Sequence, residues 1–319
     1  MAYSPFYITP EELAVYQEAQ EQEILAGDNV KTWRKYDIEE ANRFSYIFDS
    51  LVPIAIMSVV LFLFWYTLGQ DPLMGYVAVG VLIMGYGLSY LLLGLDYRYD
   101  YIFSSKGFVM KKRRNMPKWV NTATQAIGWI GAVVCVTMVA VVGPMALAGA
   151  GVLILLSFGM LKRQPDEPTE VRVGEREDWL FAYYNKKRKV IRFYHKYDDC
   201  SKWDLVEHTI FRTQTRGYSY LFFKTVEELD EVLEALSNRY DIECIEFPNH
   251  KEFFEGRPES RIQDIPSRSL EFPVADTFDL RAQNTPLPEW RRIYNGKWQT
   301  ESEIEQSKAE GTNNMSGNI

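Results

Sequence analysis

Long stretches without a charged residue constrain this chain more than any other feature. Asp49 and Asp71 enclose 21 uncharged residues, and Asp71 and Asp96 enclose 24 more. A helix needs about 20 predominantly apolar residues to cross a hydrocarbon core about 30 Å thick. Buried helices of soluble proteins seldom run that far without a charge. Both stretches are therefore predicted to be transmembrane helices, which together form a first hairpin over residues 50–95.

A third uncharged stretch, between Lys118 and Lys162, has 43 residues. As one helix it would be about 64 Å long, about twice the thickness of the hydrocarbon core. Gly143-Pro144 lies near its middle, and such a pair breaks a helix and favours a turn. We predict a second hairpin of two spans over residues 122–161, with a re-entrant segment as the alternative for its second half. The predicted fold class is a multi-pass α-helical membrane protein with four transmembrane helices in two hairpins.

The distribution of basic residues predicts the orientation of these helices. Four of the 35 Lys and Arg residues precede the first hairpin, seven lie between the hairpins and 24 follow the second. All of them therefore fall on one side of a four-span arrangement. Because Lys and Arg accumulate on the cytoplasmic side, we predict a multi-pass protein of the bacterial inner membrane with both termini in the cytoplasm. The lipid bilayer is its first predicted partner.

The predicted spans carry no Asp, Glu, Lys, Arg or His, which counts against an ion pump or an ion-coupled transporter. They do carry small residues four positions apart, and such pairs let helices approach closely. We expect these pairs to pack the helices within the protein or to join two copies as a homo-oligomer. They are Gly85 and Ser89, Gly128 and Ala132, and Ala146 and Ala150.

The segments outside the spans are predicted to be cytoplasmic. Residues 1–49 favour helices, because the Thr9 hydroxyl can cap a helix start at which Pro10 occupies the first turn. The connection 96–121 has aromatic and β-branched residues on both sides of a Lys-Gly pair. That pattern is typical of a β-hairpin.

Four consecutive basic residues lie in this connection: Lys111, Lys112, Arg113 and Arg114. Close to a bilayer, each basic residue can contribute about 1 kcal/mol to the binding of anionic lipid. The plainer interpretation is a charge anchor that fixes the topology. The two interpretations are compatible, and both place the tetrad at the membrane surface.

After the last span, residues 162–248 are predicted to form a cytoplasmic α+β module. Thr225 and Glu228 are a capping box in front of one amphipathic helix. The preceding basic hairpin would add strands to the same sheet in a split, pleckstrin-homology-like arrangement. Residues 249–309 are predicted to be an extended arm rich in proline and aromatic residues, and 310–319 a disordered tail. Strand patterns precede the helix at 171–173, 179–184, 189–194, 205–211 and 218–223.

The most basic stretch of this module lies between two aromatic strands and consists of Lys186, Lys187, Arg188 and Lys189. It is predicted to be the solvated tip of a β-hairpin, with contact to the membrane surface or to a protein partner as alternatives. Nucleic acid is not a predicted partner, because the chain has a net charge of −8 and nonspecific binding needs an electropositive face. Trp203 and Asp204 follow as a candidate buried anchor.

No catalytic signature is present. The sequence has no P-loop, GxGxxG, HExxH or GxSxG motif. His195, Cys200 and His208 are close in sequence, but their spacing matches no standard metal site. We therefore predict no enzyme, no catalytic residue, no metal and no cofactor. Three widely spaced cysteines without a CxxC pair are not a disulfide framework, and they suit a reducing compartment.

Residues 179–212 show an order of features that occurs elsewhere. An aromatic strand, a basic turn and a Val-Ile-Arg-Phe strand precede the Trp203-Asp204 pair and a further strand. With the membrane hairpins and a C-terminal arm containing tryptophans, this resembles an uncharacterised family of bacterial inner-membrane proteins often encoded near type VI secretion and polymorphic-toxin genes. An aspartate usually begins the basic turn in that family, and Asn185 stands at that position here.

The resemblance implies a non-catalytic inner-membrane protein that acts through protein–protein interaction. It would be an immunity or accessory factor for a secreted type VI toxin, with a toxin or a secretion component as its partner. The alternative is a ligand- or lipid-sensing membrane effector that oligomerises or perturbs the bilayer. An enzyme that acts on lipid is a third hypothesis, which the missing catalytic motifs disfavour.

Overall fold

The computed structural model shows a chain that divides into two compact units. The first, the α/β unit, comprises Met1–Arg43, Arg98–Lys112 and Glu170–Ile319, and the second, the helical unit, comprises Phe44–Tyr97 and Arg113–Thr169. The structure describes residues 4–67, 70–120, 169–204, 206–256 and 259–307, with single positions between 122 and 133.

The α/β unit begins with a helix and a strand. α1, Pro10–Leu25, starts at Thr9, whose hydroxyl accepts the Glu12 N–H at 3.2 Å while the Glu12 carboxylate accepts the Thr9 N–H at 3.0 Å. This reciprocal cap satisfies two N–H groups that have no partner inside the helix. β1, Lys31–Asp37, follows in a segment for which only helices were predicted. Its alternating exposed and half-buried residues, with Trp33 facing inward, have the period of a strand.

β1 is one edge of a four-stranded sheet with the order β1-β2-β3-β4. β3 and β4 run antiparallel, from Gly107 opposite Glu175 to Lys112 opposite Glu170. β2 and β3 lie on the two sides of the Lys-Gly pair in the connection 96–121, where a β-hairpin was predicted. The three further strands are β2, Tyr97–Phe103, β3, Gly107–Arg114, and β4, Glu170–Glu175.

The helical unit contains two apolar helices, α2, Ser45–Thr67, and α3, Pro72–Leu93. Asp71 caps α3, and its carboxylate accepts the Leu73 N–H at 2.9 Å. Among the residues that the structure describes, α2 is the one helix long and apolar enough to cross a membrane. Only 6% of its most apolar window is buried. Apart from the face that meets α3, most side chains of α2 are therefore exposed among the described parts of the chain.

The predicted fold class is wrong. The chain is a mixed α/β protein with several sheets, in which about a third of the described residues are in strands, and not a four-span helical membrane protein. The error arose because the length of an apolar run identifies a helix that can span a bilayer but carries no information about the chain on either side. The second predicted hairpin, residues 122–161 with its Gly143-Pro144 turn, lies outside the described residues apart from single positions.

A second sheet of the α/β unit has the strand order β8-β5-β6-β7-β9. The patterns predicted at 205–211 and 218–223 overlap the two ends of one long strand, β7, which begins at Thr209. A single split sheet is not formed, because β3 pairs with β4 while β5 pairs with β6 and β8. β8 is parallel to β5, and the other pairs are antiparallel. The strands are β5, Trp179–Asn185, β6, Val190–Asp204, β7, Thr209–Phe222, β8, Cys244–Glu246, and β9, Arg268–Pro273.

The core of the α/β unit lies between the two sheets and α4, Val226–Glu234. Phe108 of β3 packs edge-on against Phe193 of β6, with ring centroids 5.1 Å apart. Leu229 and Val232 of α4 are buried in the same cluster. The apolar stripe predicted for this helix is therefore the face that closes the core.

Residues 4–8, here called the N-terminal strap, cross β6 and β7. Phe6 is buried in a cluster that includes Ile210 and Phe272. The fully buried Arg212 guanidinium donates to the Phe6 carbonyl at 3.1 Å and pairs with Asp198 at 2.9 Å. The strap is thus part of the fold rather than a loose terminus.

The chain after β8, predicted as an extended arm, is folded onto the α/β unit. β10 and β11 form an antiparallel hairpin at its end, and a helical segment at 301–307 follows. Asn295 and Gly296 form the turn with φ values of +51° and +75°, as a type I′ turn requires. The labelled elements of the arm besides β9 are α5, His250–Phe254, α6, Thr277–Ala282, β10, Arg291–Tyr294, and β11, Lys297–Thr300.

Candidate protein-binding surface

Arg188, one of the four basic residues predicted at a hairpin tip, is used inside the α/β unit. Its Nη2 atom lies 2.9 Å from Asp37 Oδ1. It also donates to the carbonyls of Ile38 at 3.2 Å and Glu40 at 3.0 Å. The Arg188 side chain is 10% exposed and that of Asp37 is 3% exposed. The guanidinium therefore ties the β5–β6 turn to the end of β1 and is not available to lipid or nucleic acid.

The other three residues of the tip divide between internal contacts and solvent. Lys186 Nζ lies 3.3 Å from Asp230 Oδ1 on α4, and Lys189 Nζ donates to the Lys224 carbonyl at 2.9 Å. Lys187 is exposed, and its side chain makes no hydrogen bond or ion pair among the described residues. The hairpin tip is present where the sequence predicted it, but two of its four basic residues are held in ion pairs and a third donates to a carbonyl.

The basic tetrad in the 96–121 connection is also partly paired. Lys111 Nζ lies 2.7 Å from Glu21 on α1, and Lys112 Nζ lies 2.8 Å from Glu39. These contacts hold β3 against the N-terminal part of the α/β unit. Arg113 and Arg114 belong to the helical unit.

Trp203 and Asp204 lie at the end of β6, and the structure places Trp203 at the surface instead of in a buried anchor. Trp203 is 65% exposed, and its ring lies 5.5 Å from that of Phe211. The Asp204 carboxylate accepts the N–H groups of Val206 at 2.6 Å and Glu207 at 3.1 Å. Asp204 therefore shapes the turn, while Trp203 presents an aromatic ring to solvent.

Two of the six small residues predicted to pack helices are described, and both lie on the face of α3 that meets α2. A side chain at Gly85 would collide with Met57. The Ser89 hydroxyl donates to the Ser50 carbonyl at 2.6 Å. The other four lie outside the described residues: Gly128, Ala132, Ala146 and Ala150.

The side chains considered as metal ligands are core and turn residues. Burial lowers the pKa of His195 to about 3, and its Nε2 atom lies 2.9 Å from the Ser219 hydroxyl. Burial also raises the pKa of the Cys200 thiol to about 12, so it is a poor nucleophile. His208 sits in the β6–β7 turn with φ +51°. The described residues contain no group of three or more His, Cys, Asp and Glu that could hold a metal ion.

A groove large enough to take part of a macromolecule lies between the five-stranded sheet and the arm, and it is here called the arm groove. It has a volume of about 740 Å³. β7 and β9 form one side, and the residues around the β10–β11 hairpin form the other. Its lining includes Phe211, Thr213, Leu270, Pro288, Arg291 and Trp298.

The local sequence explains why these side chains meet. Alternate residues of a strand point to opposite faces. In β7, Ile210 and Arg212 are buried toward the N-terminal strap, and Phe211 and Thr213 are half-buried on the groove side. The Asn-Gly turn then places Trp298 of β11 opposite Ile293 of β10.

Arginines and tryptophans are stacked beside the groove. Arg216 lies 4.6 Å from the centre of the Trp298 ring, and Arg268 lies 4.4 Å from that of Trp290. Such contacts fix both side chains and bring positive charge against aromatic faces. Tryptophan and arginine are also the residues that most often dominate binding energy at protein interfaces.

None of the groove residues was predicted from sequence as a site residue. One signal could have found the hairpin: Asn295-Gly296 between Ile293-Tyr294 and Trp298 is a strong type I′ hairpin pattern. The approach of this hairpin to β7 and β9 could not have been found, because it joins segments far apart in the chain.

A comparison with known families finds a family model that covers most of the chain. A family model described as TsiV2 immunity protein matches residues 17–258. The match begins within α1, ends after α5 and covers well over half of the chain, and it leaves out β9, β10 and β11. The chain therefore belongs to the TsiV2 immunity protein family, and the resemblance to a toxin-associated family is confirmed.

Among curated proteins, the chain is similar to the immunity protein TsiV2 of Vibrio cholerae serotype O1. The two are 36% identical over 70 residues, which is 22% of this chain and 29% of that protein. The match thus spans less than a third of the relative's length. No solved structure matches the chain.

Proposed function

We propose that this protein protects its own cell by binding a secreted toxin and preventing its action. The observation that carries the proposal is the family match over residues 17–258, which includes the four-stranded sheet, α4 and every strand of the second sheet except β9. Immunity by binding needs a stable surface and no catalytic group. The neutral buried His195 and the inert Cys200 thiol are in keeping with a non-catalytic protein.

A protein partner suits the exposed surface better than a lipid or a small ligand. The alternative of a lipid-sensing effector depended on the two basic clusters, but Lys111, Lys112 and Arg188 are held in ion pairs within the α/β unit. Aromatic residues remain exposed instead, with Trp203 and Trp298 at two positions on the same unit. Exposed aromatic residues of this kind are typical of protein interfaces.

We further propose that the protein is attached to the bacterial inner membrane through α2, with the α/β unit on the cytoplasmic side. α2 has 23 residues and an apolar surface that the described residues leave largely exposed. β1 precedes α2 and β2 follows α3, yet the two strands are neighbours in one sheet. A chain that enters the bilayer through α2 must therefore return before β2.

The proposed route of the toxin is type VI secretion by sibling cells. Deletion of the gene should lower survival by about tenfold or more when the strain is mixed with toxin-secreting siblings, and expression of the full chain should restore it. Siblings that lack the secretion apparatus are the control. Survival that does not change on deletion would contradict the proposed function.

A further inference from the structure

We propose that the arm groove binds an extended acidic segment of the toxin, laid along the open edge of β9. This inference rests on the proposed function and specifies the surface and the chemistry of the partner. Three properties of the groove support it: a lining with net positive charge, an unpaired strand edge, and exposed apolar side chains.

The first property begins with Arg216, which is buried beneath the groove wall. Its guanidinium donates to the Ile262 carbonyl at 2.9 Å and to the Ser267 hydroxyl at 2.7 Å, and it lies under the Trp298 ring. No carboxylate forms an ion pair with it among the described residues. A buried cation that has only dipoles as partners is poorly compensated, so it makes the groove attractive to an anion.

Arg291 adds charge at the surface. Its guanidinium lines the groove and has no hydrogen-bond or ion-pair partner in the described part of the chain. Arg268, stacked on Trp290, also lines the groove. The groove lining contains two arginines, Arg268 and Arg291, and one carboxylate, Glu289, so its net charge is positive. Charge complementarity therefore favours a segment that carries aspartate or glutamate.

The second property is the edge of the five-stranded sheet. β9 is the last strand in the order β8-β5-β6-β7-β9. Beyond β9, the described residues provide only an isolated bridge from Ser267 to Arg291. An open edge presents unpaired N–H and C=O groups that an extended segment can use as an added strand. The groove lies along this edge, because Ser269 and Leu270 of β9 line it.

The third property is the apolar surface within reach of an added strand. Trp298 is 51% exposed, and Leu270 is 36% exposed. Side chains of an extended segment alternate between two faces. Apolar side chains on one face could cover Trp298 and Leu270 while acidic side chains approach Arg291. The geometry therefore fits a segment with mixed acidic and apolar residues better than a uniformly acidic one.

The test uses the full chain and overlapping synthetic peptides of the toxin that kills the deletion strain. Arg291→Glu and Trp298→Ala should each weaken binding of the selected peptide by about tenfold or more. Arg291→Lys should retain most of the binding, because it keeps the charge. Replacing the acidic residues of the peptide by their amides should weaken binding by a similar factor.

Matched controls separate the groove from general effects on the surface. Lys106→Glu makes the same charge change at the β2–β3 turn, and Phe278→Ala removes an aromatic side chain that is 63% exposed outside the groove lining. Neither should alter peptide binding or survival. Thermal unfolding of each variant shows whether the fold is intact. Arg291→Glu alters only an exposed side chain, so it should leave the fold intact.

The outcomes distinguish this inference from the proposed function. Unchanged survival after gene deletion would overturn both. If deletion kills the strain while Arg291→Glu and Trp298→Ala protect as well as the wild type, the groove is not the binding surface and immunity still stands. Binding to phosphatidylglycerol vesicles that depends on Arg291, with no peptide selected, would also overturn the inference.

Discussion

Lys187 and Arg188 are sequence neighbours with opposite roles. Lys187 is exposed, whereas Arg188 reaches Asp37 and two carbonyls at the end of β1. Both residues looked alike in the sequence, because a sequence gives the charge of a side chain but not its hydrogen-bond or ion-pair partners. Asp37 lies 151 positions away in the chain. A contact at that separation has no local signature, so only the folded structure assigns Arg188 a structural role.

Arg188→Met should destabilise the protein by about 3 kcal/mol, because it leaves the Asp37 carboxylate buried without its closest cation. The loss should be at the low end of the usual range, since Arg43 and Lys35 remain within 4.0 Å of Asp37. The free energy of unfolding in urea measures the effect.

Lys187→Met is the matched control and should change the free energy of unfolding by less than about 0.5 kcal/mol, as exposed substitutions usually do. Equal losses for the two variants would show that the whole tip, rather than the Arg188–Asp37 pair, supports the fold.

At the scale of elements, the sequence predicted the helices and strands that are specified by a pattern of neighbouring residues. The start of α1 follows from Thr9 and Glu12, which form the reciprocal cap that the residue types suggest. The β2–β3 hairpin and α4 also lie where their patterns predicted them. β1 was not predicted. Residues 31–37 lie between the helix start at Thr9 and the apolar run after Asp49, and they were assigned with both to a helical segment.

The long strands β6 and β7 show a different limit. Polar and charged residues interrupt their central parts, so the sequence suggested shorter strands. In the structure those residues are satisfied by distant groups: the Gln214 side chain donates to the Ser4 carbonyl, and Arg212 donates to that of Phe6. The N-terminal strap thus provides hydrogen-bond partners for polar side chains in the middle of β7. The local sequence pattern did not predict that part of the strand.

α2 is the element on which the proposed membrane attachment depends. Replacing Ile56 and Val59 by arginine should release the protein from the membrane fraction, because each arginine near the centre of a membrane helix costs about 2.5–3.5 kcal/mol. Both side chains are exposed in the structure, so the folded unit should tolerate the change. Extraction with alkaline carbonate, followed by blotting of both fractions, measures the distribution.

Replacing the exposed Val15 and Tyr16 of α1 by arginine is the control and should leave the distribution unchanged. If the variant with arginine at Ile56 and Val59 stays in the membrane fraction as the wild type does, α2 is not the attachment. In that case the proposed localisation would need another segment.

For the whole molecule, the sequence indicated the family more reliably than the fold. The order of an aromatic strand, a basic turn and the Trp203-Asp204 pair resembled a toxin-associated family, and the family model confirms that association. The predicted fold class was wrong because it was based mainly on the apolar runs. The strands on either side of those runs pair with one another, although long segments separate them in the sequence. β3 and β4, for example, are antiparallel neighbours although the chain between them runs from residue 115 to 169.

The arm groove belongs to this largest scale. Its two sides come from β7 and β9 and from the β10–β11 hairpin, and Arg216 beneath it is oriented by Ile262 and Ser267. The signal of the Asn-Gly turn predicts the hairpin alone. The groove exists only once the arm has folded back onto the sheet, so no local pattern could have revealed it.

The central claim is that immunity results from direct binding of the toxin by the folded chain. Light scattering of the purified full chain mixed with the toxin that kills the deletion strain tests it most directly. A complex that elutes from a sizing column with the summed mass of both proteins is the predicted result. Separate elution of the two proteins under conditions in which the gene still protects the cell would contradict the claim.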